Sequence, residues 1–373
     1  MAEETLQQGI YFRSGERPPP TFALVVLDVL DGASAGDAGR AVEAVMSMLA
    51  GLPRGDVHEL QGQPEPHASH TAEQFADLAT LVGYGRRLFD ERIHDPGLTA
   101  LARPEYLVYL AGEEAVFPAL PWSESASANS GEGDIAIQLT ATTVAAVNCA
   151  AVEVWKLTQE QQLPLSVKAV FQGFGRHDGR GWLGFHDGVS NGRSQERRDA
   201  IQSAGAPEWM AGGTYLSYLR MRLDLATWNR LDRSTQELLV GRHKLHGAPL
   251  VGVERGEHDQ LIPVARAQLP QQWTPAERSA WIDPPQTTDA VIEASHIHRA
   301  NQNRASMATP GGLRIFRQGY EFFEGFNDGT PHLGLNFVSF QRDLGALQHL
   351  LHRPGWLGDV TFGGSTDGEV DPV

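Results

Sequence analysis

The sequence predicts an α+β chain of two successive βαββαβ units with antiparallel sheets. Three observations predict it: an ordered alternation of strand and helix patterns in the first half, a similar order after Gly213, and a polar, Gly/Pro-containing stretch between them at about 191–211. With 373 residues and 41% hydrophobic side chains, the chain can fill the cores of one large or two ordinary domains.

After the Pro18-Pro19-Pro20 run, Phe22 to Val29 reads as a buried strand and Gly39 to Leu52 as an Ala-rich helix. Leu78 to Tyr84 is a second strand. Asp134 to Thr140 alternates as a third, Thr142 to Leu157 is an apolar helix capped by Thr142 or Thr143, and Val167 to Phe174 completes the unit. In the second half, Tyr215 to Leu223 alternates as a strand and Ser234 to Val240 is helical. Leu313 to Phe316 and Gly334 to Phe340 are strand candidates, and Leu344 to Leu351 is a closing helix. Both series fit a ferredoxin-like unit. The second lacks an obvious final strand and carries an insertion between about 242 and 310. The expected domains are therefore residues 1–205, 206–356 and a flexible acidic tail at 357–373.

Charge and cysteine content narrow the function classes. With 46 Asp and Glu against 30 Lys and Arg, the net charge of -16 disfavours nucleic acid and anionic membranes as partners. No window approaches the roughly 20 apolar residues of a membrane span, and the first twenty residues lack a secretory pattern, so the expected location is cytoplasmic. One cysteine, Cys149, excludes an internal disulfide, a CxxC redox pair and a Cys-rich metal cluster. Redox chemistry here would need a bound cofactor.

Three segments carry candidate chemistry. Gly173 to Asn191 is dense in glycine, with two GxxDG patterns, Gly175 to Gly179 and Gly184 to Gly188; a third lies at Gly325 to Gly329. Each aspartate reads equally as a turn residue. In Ser295 to Asn301, His296 or His298 suits an axial metal ligand or a plain polar loop. Leu313 to Tyr320 places Arg314 and Arg317 in an apolar run, where one can point into a pocket or both can be solvated.

Taken in order, the GFxDG, HIxRxN, RIxRxGY and GLxFxxFQRD stretches resemble the dye-decolorising (DyP-type) haem peroxidase family. Gly212 to Leu216 and Gly241 to Lys244 support the likeness, which runs through nearly the whole chain. The resemblance implies two ferredoxin-like units of a dimeric α+β barrel-like type, with non-covalent haem b held mainly by the second half. It selects Asp187 and Arg317 as catalytic residues and His296 as the iron ligand, with Gly188, Arg299, Asn301 and Arg304 around the cofactor. Two departures stand out: Asn301-Gln302-Asn303-Arg304 replaces an expected Asn-Pro-Arg, and Gln318 replaces a second arginine.

The implied activity is hydrogen-peroxide-dependent oxidation of dyes and other bulky aromatic or phenolic donors through a ferryl state. The proton would move through Asp187 beside the fixed cation of Arg317, so turnover would be greatest in acid. The second nitrogen of His296 would donate to a carboxylate, Asp343 being a candidate. Bulky donors would be oxidised through a surface Trp or Tyr. The alternative is a haem-binding or iron-releasing, deferrochelatase-like protein with little turnover. Either form allows a homo-oligomer.

Overall fold

The computed structural model describes residues 9–10, 18–56, 70, 72–85, 88, 133–187, 194–203, 211–266, 287–301, 314–342, 344 and 346–347. The tail expected at 357–373 and most of the closing helix lie outside them. Contacts divide the described residues into two units. One runs to Gly175, and the other draws on Arg176–Ala204 and Gly212–Val373. The sequence expectation places residues 176–205 in the first domain, whereas here Arg180 donates to the Lys244 and Leu245 carbonyls and the Trp182 amide to Glu321, all within the second unit.

The first unit contains β1 (Thr21–Val29), α1 (Ala35–Gly51), β2 (Ala79–Tyr84), β3 (Ile135–Ala141), α2 (Val144–Glu160) and β4 (Leu165–Phe174). Its strands lie in the order β2-β3-β1-β4, and each neighbouring pair is antiparallel. This is the ferredoxin-like arrangement, and it follows from split βαβ connections that place β1 between β3 and β4. Helix α1 starts earlier than its apolar spacing suggests, because Ser34 and Asp37 form a capping box. Thr143, one of the two expected caps, accepts the Ala146 amide at the start of α2. Both helices bury Ala and Val faces on the central strands: Val45, Leu49, Val147 and Val154 meet Val25, Leu27, Ile137 and Leu139 in one core.

The second unit contains α3 (Ser194–Ile201), β5 (Tyr215–Arg222), α4 (Leu225–Trp228), α5 (Arg233–Val240), β6 (Leu250–Arg255), β7 (Leu261–Ala265), α6 (Ala290–Glu293), α7 (His296–Asn301), β8 (Phe316–Asn327) and β9 (Thr330–Gln341). Strands β8, β9 and β5 are adjacent in that order and antiparallel. That is the second-third-first part of the same plan; among the described residues of this unit no strand follows β9 to take the fourth place. The expected insertion holds the β6-β7 hairpin and the two short helices α6 and α7.

Strand β8 departs most from expectation. It begins at Phe316 and runs twelve residues to Asn327, whereas the sequence pattern marks only Leu313 to Phe316. A two-residue turn at Asp328 and Gly329, both at positive φ, folds it back onto β9. The third GxxDG pattern is thus a hairpin turn.

Candidate functional site

Asp187 ends a loop closed by its own backbone. Gly181 N–H donates to Phe185 O at 2.9 Å, Gly184 N–H to Gly181 O at 2.8 Å and Asp187 N–H to Gly179 O at 3.0 Å. Gly184 is needed at φ 84°, where a side chain would also meet Lys244. Arg180 staples the loop down by donating to the Gly184, Lys244 and Leu245 carbonyls at 2.6, 2.6 and 2.7 Å. Phe185 is buried against Trp228 in an edge-on contact with centroids 6.2 Å apart, and Leu239 and Val240 complete that small core. The loop's polar end is therefore fixed by its apolar middle.

The first GxxDG pattern ends differently. Asp178 pairs with Arg176 at 2.6 Å and accepts the Arg180 amide at 3.1 Å, so it closes a turn; these bonds, the Arg176 one foremost, hold its carboxyl below the usual range. His186 lies 3.3 Å from the Leu245 carbonyl.

Strand β8 brings Arg317 to Asp187. The guanidinium Nη1 stands 3.8 Å from Asp187 Oδ1, with the side chains 31% and 43% exposed, so the pair is open to a small molecule. Gly319, two residues on, shares that strand face. It leaves the space that Asp187 occupies, since a Cβ there would run into Asp187 Oδ2.

His296 opens α7. Asp289 caps the preceding turn by accepting the Val291 and Ile292 amides, Ser295 Oγ–H donates to Ile292 O at 2.7 Å, and Arg299 N–H returns to Ser295 O at 3.0 Å. Gly241, at φ 84°, terminates α5 so closely against this segment that a Cβ would lie 2.7 Å from Ile297 Cγ1 and also meet Ser295. Burial first, then the Arg317 and Arg242 cations, push the His296 imidazole down to about 4, while Asp187 works the other way. His296 thus shares one electrostatic environment with Asp187 and Arg317. His298 is also held below the usual histidine range, first by burial and then by Arg242, with no contribution from that pair. Its Nε2 is buried with no hydrogen-bond partner among the described residues.

Arg299 lies half-buried on α7, and Asn301 ends that helix. Gly188, Arg304 and Asp343 lie outside the described residues. Sequence reasoning missed Gly319, Glu321 and Trp182. The latter two meet through a bond from the Trp182 amide to Glu321 Oε1 across 139 residues, a separation no local pattern reveals. Among the described residues no group of three or more His, Cys, Asp or Glu gathers to hold a metal, and no helix is long and apolar enough to cross a membrane.

The second unit of this α+β chain thus carries an aspartate and an arginine 3.8 Å apart and a buried histidine whose titration both influence. Residues 178–359 match the family model for the Dyp-type peroxidase, C-terminal, region. A dye-decolorizing peroxidase of Thermobifida fusca is 30% identical over 173 residues, 44% of this chain and 34% of that protein. A deferrochelatase of Shigella flexneri is 29% identical over 284 residues, 72% of this chain and 58% of that one. The chain thus spans between about a third and three fifths of the length of these relatives. The crystal structure of a DyP-type peroxidase from Cellulomonas bogoriensis superposes with a TM-score of 0.66 at 25% identity, covering 94% of this chain and 87% of that one. The second half of the chain is thus similar to the C-terminal region of DyP-type peroxidases, and the chain as a whole is similar in fold to a DyP-type peroxidase.

Proposed function

We propose that the protein is a haem b peroxidase in which His296 ligates the iron and Asp187 and Arg317 act on hydrogen peroxide. The observation that carries this reading is the shared environment of the three residues: the ion pair at 3.8 Å, and a histidine whose proton affinity responds to both of its members. The donor set suits the group. An imidazole held neutral above about pH 4 is competent to bind iron across the physiological range. The single cysteine excludes attachment through a CxxCH pair, so the haem would be held non-covalently. Gly188, Arg299, Asn301 and Arg304 are proposed to complete its surroundings.

When bound, haem supplies the redox centre at which peroxide is reduced to two waters while two donor molecules each lose one electron and one proton. Asp187 accepts the proton of one peroxide oxygen and returns it to the departing one. Arg317 stays protonated throughout and stabilises the negative charge that develops as the O–O bond breaks. The partial exposure of both side chains admits peroxide, and dyes or phenolic donors are oxidised from the protein surface.

A visible spectrum of the purified protein before and after one equivalent of peroxide tests the reading. The expected result is a Soret band that shifts on peroxide addition and is lost in His296→Ala. Full retention of the band in that variant refutes His296 as ligand, and its loss in His298→Ala alone moves the assignment to that neighbour. A second reading, haem binding or iron release with little turnover, is favoured by the larger share of the chain matched by the deferrochelatase relative. Steady-state oxidation of an anthraquinone dye separates the two.

A further inference from the structure

Alternation along β8 puts Arg317, Gly319 and Glu321 on one strand face. Gly319 makes room for the Asp187 carboxylate. Glu321, only 5% exposed, accepts the Trp182 backbone N–H on Oε1, and the neighbouring Gly181 lies beside the same oxygen, where a Cβ would reach van der Waals contact at 3.4 Å. Trp182 also donates its indole N–H to Phe322 O at 3.3 Å. Trp182 and Asp187 belong to the same self-closed loop, so that loop meets β8 twice, by its turn at Glu321 and by its aspartate at Gly319. The other Glu321 oxygen, Oε2, is buried with no hydrogen-bond partner among the described residues. Burying a carboxyl in this state is costly, and the peroxide chemistry of Asp187 and Arg317 has no use for it.

We propose that Glu321 is a positioning residue: its carboxyl pins the Gly181–Trp182 turn to β8 and so registers Asp187 over Gly319 and opposite Arg317. The pin itself stands on hydrogen bonding alone; its consequence for turnover rests on the peroxidase reading. The groups facing Glu321 are Arg176, Asp178, Asp187 and the Trp182 amide of the loop, with Arg317 on its own strand face; its partner across the ladder on β9 is the apolar Leu335. Burial, the largest influence, holds the carboxyl up to about 7; Asp178 and Asp187 act in the same direction, the Trp182 N–H and Arg176 against it. Glu321 is therefore neutral in acid. Its ionisation through neutrality places a second negative charge on the strand face against which Asp187 packs, which repels Asp187. Reaction with peroxide falls as that charge appears.

The test uses the haem-loaded protein and compares wild type with Glu321→Gln, which keeps an accepting oxygen, and Glu321→Ala, which does not. Hydrogen exchange at the Trp182 amide is expected to accelerate about tenfold or more in the alanine variant and to stay near wild type in the glutamine variant. The rate of the peroxide-induced Soret change, normalised to bound haem, is expected to drop about 10-fold to 100-fold in Glu321→Ala at pH 5 and to be largely rescued by glutamine. Glu321→Gln should also lose the fall in rate centred near pH 7. Unchanged exchange in Glu321→Ala, or an unchanged alkaline fall in Glu321→Gln, overturns the proposal; if the alanine variant does not fold, the glutamine profile decides alone. If exchange responds as expected but none of the three proteins reacts with peroxide, the pin stands and the peroxidase reading fails.

Discussion

Gly319→Ala adds one methyl group at the point where β8 meets the Asp187 loop. The Cβ would lie well inside the 3.4 Å at which ordinary contact begins, against Asp187 Oδ2, and would also sit 3.3 Å from Leu335 Cδ1. The leucine can yield by a small rotation. The carboxylate has less freedom, because its loop is held by three backbone bonds of 2.8 to 3.0 Å and by Arg180. It must retreat by about 1 Å, a misplacement that costs reacting geometries about 100-fold. The strand backbone at Gly319 lies outside the positive-φ region, so the alanine is not strained in itself and the expected loss of stability is small, about 1 kcal/mol. The assay is stopped-flow formation of the peroxide-oxidised spectrum, normalised to the Soret absorbance so that haem content is factored out. A rate within about threefold of wild type would refute the argument that Gly319 is the seat of Asp187.

Two other positions give separate expectations. Gly241→Ala meets both a positive φ and the side chains of Ser295 and Ile297, so it should lower stability by about 2–4 kcal/mol and weaken haem retention through α7; thermal melts and haem titration check both effects. Glu321→Gln removes a carboxyl whose proton is held to about 7 in the fold against 4.5 for a free side chain. Its contribution is fully present below pH 4.5 and lost as pH rises through about 7, so wild type should lose about 3 kcal/mol relative to the glutamine variant between pH 4.5 and pH 8. Urea unfolding at both pH values measures that difference, and an equal gap at the two contradicts the buried-acid assignment.

The first unit was legible in the sequence because its strands are apolar on both faces or alternate cleanly, and its helices begin at side-chain caps. Phe22 to Val29 and Asp134 to Thr140 are recognisable for that reason, and the structure moves their ends by one residue or less. Strand β8 was not legible, because Arg317-Gln318-Gly319-Tyr320-Glu321 mixes charge, glycine and aromatics without a simple period. One of its faces is core and the other carries polar chemistry, so polar residues occur on both sides of the alternation. The motif frame led to Asp187, Arg317 and His296, of which the structure pairs the first two directly. Glu321 has no such frame. Its significance lies in one bond to a residue 139 positions away and in its burial, and neither leaves a trace in local composition.

The same alternation settles what Gln318 does. In the sequence, glutamine at this place reads as the loss of a cation beside the cofactor. In the structure Gln318 is 2% exposed and sits between Arg317 and Gly319 on a strand, so its side chain leaves the opposite face from the Asp187 pair. Restoring arginine therefore does not return a charge to the face where Asp187 and Arg317 meet; it drives a guanidinium into a core. Gln318→Arg is expected to lower the melting temperature by several degrees, since taking a guanidinium out of water in place of a neutral amide costs several kcal/mol. Its rate with peroxide per bound haem should remain within about threefold of wild type. A tenfold gain in that rate would mean that position 318 acts on the site after all. Under the proposed reading, an unchanged rate in this variant would leave turnover to the opposite strand face, where Arg317 meets Asp187.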